Sequence, residues 1–131
     1  MIPRRLAFRM FSACLFGRAD WLRRLAGSKA IGLAARHRPS AAEDARRKAH
    51  GRRLLADQLD DVGRMVEGWC GDDARCHGAD LDPATVAWIC CYITGETERA
   101  LPELRRLGAV APGDTVGGPH DVLRTIERLL G

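Results

Sequence analysis

Lysine is nearly missing from this chain: Lys29 and Lys48 are the only two among 21 basic residues, and the rest are arginine. Such a bias suits phosphate recognition, and a compositional leaning toward Arg, Ala and Gly explains it equally well. Long apolar runs are missing too. No stretch approaches the ~18–20 apolar residues that a transmembrane helix needs, so no span is expected. The chain has no phosphate-binding glycine loop, no HExxH and no nucleophile elbow. Its four histidines, His37, His50, His77 and His120, are scattered without evident carboxylate partners. These absences argue against an enzyme.

Paired CxxC motifs are also absent. Cys70, Cys76 and His77, followed by Cys90 and Cys91, are zinc-capable residue types, but their spacing matches no paired knuckle and no CxxCH haem attachment. Adjacent cysteines on a helix point about 100° apart and serve one site poorly. Neither a metal site nor a cofactor is expected. Five cysteines behind no convincing signal peptide point to a reducing compartment, and hence to a cytoplasmic protein with buried or loop thiols. A Cys70–Cys76 disulfide would need an oxidising one.

The 131 residues suffice for one domain, and 46% apolar with 29% charged content is ordinary for a globular chain. Charge is distributed unevenly. Residues 1–54 carry 14 basic and 3 acidic side chains, residues 55–131 carry 7 and 14. A split of this kind points to a polyanion or membrane-surface partner for the basic half, unless the halves neutralise each other on folding.

Only one long apolar run exists, Val86 to Ile93. Its β-branched and aromatic content suits a strand, but its punctuation is helical. Asp82 is a good N-cap, Pro83 fits the first helical position and Gly95 a C-terminal stop. The spacing predicts a helix over Pro83–Thr94, buried on all sides, and a second over Thr97–Leu107 that Pro102 kinks or restarts. Pro112-Gly113 suits the middle of a type II turn, making Ala109 to Val116 a small hairpin. A closing helix is expected over His120–Leu130.

Earlier in the chain, Met1 to Gly27 is Arg-rich and acid-poor, with apolar residues too evenly spread for one tidy stripe. It resembles an organelle transit peptide in composition, and equally an interfacial helix or a phosphate-binding arm. The favoured reading is a basic helix packed on the domain. A linker follows over Gly27–Pro39, then Ser40 and Glu43 as a capping box. The long helix beyond it carries Leu55, Leu59, Val62, Val66 and Trp69 at heptad spacing. Its first half is basic and its second acidic, Glu43–Arg47 and Asp44–Lys48 are favourable pairs, and Gly51 and Gly63 weaken it. Core positions are expected at Leu59, Val62, Val66, Trp88, Ile89, Ile93, Leu101, Leu104, Val122 and Ile126.

Trp69-Cys70-Gly71 and Cys90-Cys91-Tyr92 are superficially similar to fragments of the secreted phospholipases. That family follows its cysteine pair with a His-Asp dyad, where this chain has Tyr92-Ile93-Thr94, so the resemblance brings no catalytic residues. The order of elements looks instead like a winged helix. The expectation is a mainly α fold: a basic N-terminal segment and linker over 1–38, then a small winged-helix-like domain over 39–131 with one short hairpin. Thr97–Leu107 would be its recognition helix. The expected function is non-enzymatic, nucleic-acid-binding or regulatory. Arg4, Arg5, Arg46, Arg47, Lys48, Arg52 and Arg53 are the phosphate candidates, and Arg99, Arg105 and Arg106 the base-reading ones. The alternative is a helical protein-protein interaction module.

Overall fold

The computed structural model describes residues 1–27 and 39–131; most of the expected linker lies outside them. Among the described residues there are six helices, numbered here in chain order: α1 Arg4–Ala26, α2 Pro39–Trp69, α3 Asp73–Cys76, α4 Pro83–Ile93, α5 Thr97–Arg106 and α6 Pro119–Leu130. The only β pairing among them is one antiparallel bridge between Ile2 and Leu81. A mainly α fold is therefore observed, without the hairpin.

α1 and α2 form an antiparallel pair at the centre. α1 buries Ala7, Phe8, Phe11, Ser12, Leu15, Ala19, Leu22 and Ala26, a continuous stripe at helical spacing. The sequence reading missed this stripe because alanines complete it, while Leu6, Met10 and Trp21 fall outside it and are exposed. α2 answers with its heptad seam: Leu59, Val62, Val66 and Trp69 are buried, joined by Ala56, and Leu55 is half-buried. Gly63 has a specific role here. A Cβ added to it would sit 2.7 Å from the Phe16 ring, so the missing side chain lets α1 approach. At the far end the Phe8 and Trp69 rings meet edge to face at 5.6 Å.

The starts and stops follow local chemistry. Asp82 caps α4 by accepting from the Thr85 N–H at 3.3 Å, with Pro83 in the first turn. Gly95, at φ +98°, ends it in a Schellman motif: the Gly95 N–H donates to the Tyr92 carbonyl and the Glu96 N–H to that of Cys91. Gly108, at φ +76°, ends α5 the same way, with the Ala109 N–H on Leu104. Gly118 precedes α6, and its N–H donates to Asp121 at 2.9 Å. α2 already includes Pro39 and Ser40, so Ser40 lies inside the first turn and not at the expected capping-box position. The exposed pair in that turn is Asp44–Arg47, not either of the two expected.

Two further expectations are corrected. α4 is not buried all round: Val86, Ile89, Tyr92 and Ile93 face the core, Ala87 is exposed, and Trp88, Cys90 and Cys91 are only partly covered. The type II turn at Pro112-Gly113 does form, with Gly113 at φ +87° and the Asp114 N–H on the Ala111 carbonyl. No ladder follows it, because the flanking backbone groups are already engaged. Ala109 and Val110 donate to Leu104, Ala111 donates to the Asp114 carboxylate, and the Thr115 carbonyl accepts from Arg124. Gly117 donates to the buried Tyr92 hydroxyl at 3.0 Å. Without strands there is no wing, and the winged-helix expectation falls. Of the expected core residues, Trp88 and Leu101 are half-buried and the other eight are buried.

Candidate nucleic-acid interface

Antiparallel pairing sorts the charges of α2. Its second half lies along α1, where Arg23 forms ion pairs with both Asp57 and Asp60, the former at 2.8 Å. Arg64 pairs with Asp61 on the helix itself. These acids have cationic neighbours within reach and project little net field. α1 ends beside Arg53, whose guanidinium donates to the Ala26 carbonyl at 3.4 Å.

Before that point the helix carries Arg46, Arg47, Lys48, His50, Arg52 and Arg53, with no acid between Asp44 and Asp57. Arg46, Arg47, Lys48 and Arg53 are exposed and Arg52 half-exposed. Among the described residues the only ion pair in this run joins Arg47 to Asp44 at 3.2 Å, with both side chains well solvated. Exposed pairs contribute at most about 1 kcal/mol and are easily exchanged for another anion. Arg24, exposed near the end of α1, extends the same positive end.

The remaining phosphate candidates are elsewhere. α1 begins where α2 ends, about 30 Å along the helix axis from the basic run at 1.5 Å per residue. Arg5 lies beside the Cys76 thiol and forms an ion pair with Asp73 at 3.0 Å, both of which raise its pKa. Arg4 donates to the Ala79 carbonyl at 3.2 Å, in space left open by Gly78. Both arginines help fasten α1 to the α3 region. Alongside them Arg75 stacks 4.3 Å over the Trp69 ring.

The base-reading candidates lie on α5, apart from any wing. Arg99 faces Glu96 at 3.6 Å and Arg106 bonds to Glu103 at 2.8 Å; Arg105 is exposed. Pro102 is accommodated within α5 on an exposed position. The structure thus keeps Arg46, Arg47, Lys48, Arg52 and Arg53 on one stretch of α2, distributed around the helix at about 100° per residue. It leaves Arg4 and Arg5 at the opposite end of the α1–α2 pair, and Arg99, Arg105 and Arg106 on a separate helix.

One pair of reactive side chains had no signal in the sequence. Cys14 on α1 and Cys90 on α4 meet across the helix interface, although 75 residues separate them in the chain. Among the described residues, no three His, Cys, Asp or Glu side chains converge as a metal-ligand set, and no helix is long and apolar enough to cross a membrane.

Compared with known proteins, the chain matches no family model, no curated protein and no solved structure.

Proposed function

We propose that this protein binds the phosphate backbone of nucleic acid through the first half of α2, with Arg46, Arg47, Lys48, Arg52 and Arg53 as the contacting cations. One observation carries the reading. Folding gives Asp57, Asp60 and Asp61 of α2's second half cationic partners, while among the described residues the adjoining five cations make one solvated ion pair, Arg47–Asp44, and one hydrogen bond, from Arg53 to the Ala26 carbonyl. A basic helix segment of this kind neutralises phosphates and releases their counterions, which drives association without reading sequence. Base preference has no support once the wing is gone, so the binding is expected to be sequence-tolerant.

The test is a titration of full-length protein on random duplex DNA and RNA at two ionic strengths. Five phosphate contacts give a log–log salt slope near −4.5, about a 500-fold loss of affinity between 50 and 200 mM salt. Replacing Arg46, Lys48 and Arg52 together by Gln should reduce that slope by about 2.7. Substitution is preferable to removal of the N-terminal segment, because α1 supplies half of the central helix pair. No binding at low salt, or binding indifferent to the triple substitution, would remove the reading and leave the interaction-module alternative.

A further inference from the structure

α1 and α4 run parallel in a fixed register. Ile2 and Leu81 pair ahead of both helices, and further along Arg18 donates to the Ile93 carbonyl at 3.0 Å. About one turn back from that contact, on each helix, are Cys14 and Cys90. The register sets them on facing turns, close enough for each thiol to shift the other's pKa. Both are partly buried against the core. Neither is sealed off. Cys14 lines a cavity of about 250 Å³ beside Arg18 and Trp21, and Cys90 lines a cleft of about 400 Å³ beside Trp88. Thr94 borders both, so a small solute has two approaches to the pair.

We propose that Cys14 and Cys90 form an oxidation-sensitive dithiol, which hydrogen peroxide converts into a disulfide joining α1 to α4.

The two thiols are chemically unequal, as this reaction requires. The hydrogen bond from Cys90 holds the Cys14 thiol down to about 7, against the opposing effect of burial. Cys90 is pushed up by the same contact and by its own burial. Cys14 is therefore the attacking thiolate and Cys90 the resolving thiol. The Cys14 sulfur attacks one peroxide oxygen, the O–O bond breaks, and the departing hydroxide takes a proton to leave as water. Cys14 is then a sulfenic acid. The Cys90 sulfur attacks it, the S–S bond forms and the S–O bond breaks. The hydroxyl leaves with the Cys90 proton as a second water. Peroxide gains two electrons and the dithiol loses two.

The other thiols are differently placed. Cys91 donates to the Glu96 carboxylate at 3.1 Å and is pushed up by burial and by that carboxylate. Cys76 donates to the Trp69 carbonyl at 3.2 Å, and Cys70 to that of Arg5 at 3.7 Å. This inference does not depend on nucleic-acid binding.

Peptide mapping decides it. Reduced full-length protein is treated with stoichiometric peroxide, remaining thiols are capped with N-ethylmaleimide, and the digest is analysed without reduction. The expected product is a Cys14–Cys90 cross-linked peptide, with Cys70, Cys76 and Cys91 alkylated. In Cys90→Ser protein the Cys14 sulfenic acid should persist and be trapped by dimedone; Cys14→Ser protein should give neither product. Wild-type protein alone supplies a second readout that needs no variant. Alkylation of Cys14 should rise with a midpoint near pH 7, and at that pH should outpace Cys91 by at least about fivefold, from its larger thiolate fraction less its lower nucleophilicity. A Cys70–Cys76 cross-link in place of Cys14–Cys90 would overturn the proposal. So would a Cys14 midpoint at or above the ordinary thiol value of about 8.5.

Discussion

The two halves of α2 share one backbone and one helix, yet they belong to different parts of the protein. Residues 55–69 bury Ala56, Leu59, Val62, Val66 and Trp69 against α1. Asp57, Asp60 and Asp61 are met by Arg23 and Arg64. Residues 39–54 adjoin the point where α1 ends, and among the described side chains the buried ones there are Ala42 and Ala49. Their cations face solvent. The difference is the partner helix: where α1 lies alongside, Asp57, Asp60 and Asp61 of α2 are paired, and beyond the end of α1 the cations of α2 have one ion pair among the described residues.

The largest expected effect tests that contrast directly. Leu59→Ala should cost about 2–5 kcal/mol in chemical denaturation, the range for truncating a fully buried leucine. Leu54→Ala, at a half-exposed position, should stay within about 0.5 kcal/mol. Equal losses would erase the distinction between the halves.

The two glycines sharpen it further, since the same substitution should have opposite signs. Gly63→Ala meets the Phe16 ring and should destabilise by about 1–3 kcal/mol, as overpacking does. Gly51 has open space around its Cβ position, so Gly51→Ala should stabilise by up to about 1 kcal/mol from helix propensity alone. Thermal melts of the two variants give the answer. Two stabilised variants would mean that α1 and α2 are less closely packed than their Gly63–Phe16 contact requires.

Smaller still is the electrostatic link. Arg23 is more than a third exposed, so Arg23→Ala should cost the fold little, and less at high salt. The more telling readout is binding: freeing Asp57 and Asp60 beside the basic run should weaken nucleic-acid affinity more than it weakens the fold. If affinity is unchanged, charge compensation is not what defines the site.

A last comparison is with the segment around the Pro112-Gly113 turn, held by charge where α2 is held by packing. Arg128, and then the Ala111 N–H, hold Asp114 below the usual carboxylate range. Asp121 is also lowered: burial opposes this, but Thr115, the Gly118 N–H and Arg124 prevail. A carboxyl depressed in the folded state stabilises at neutral pH, and the contribution fades as pH falls from about 4 through the folded value. Asp114→Asn should flatten that acid limb of stability against pH. An unchanged acid limb would mean that Asp114 does not anchor the turn.

Asp82, Pro83, Gly95, Gly108 and Pro112-Gly113 were legible in the chain because each acts within a few residues of itself: a cap, a stop or a turn is satisfied by its own neighbours. The seam from Leu59 to Trp69 was legible because helical periodicity is also local. The stripe of α1 was hidden, since Ala7, Ala19 and Ala26 are buried by close approach and not by hydrophobicity. Phosphate candidates were chosen by local charge, which says nothing of what folding brings near. Arg5 met Asp73, Arg4 met the Ala79 carbonyl, Arg53 met the Ala26 carbonyl, and among the described residues the only ion pair of the basic run is the solvated Arg47–Asp44.

By itself, then, the sequence determined the mainly helical character, most of the helix ends and the uneven charge, all consequences of short-range backbone and side-chain chemistry. Tertiary structure alone decided three other things. It left the Pro-Gly turn without a hairpin, because neighbouring groups had already taken its backbone hydrogen bonds. It divided α2 into a half whose Asp57, Asp60 and Asp61 are paired and a half whose cations have one ion pair among the described residues, because α1 runs beside only part of it. It set Cys14 against Cys90, because a parallel register of two helices is a property of their packing, which no spacing along the chain encodes.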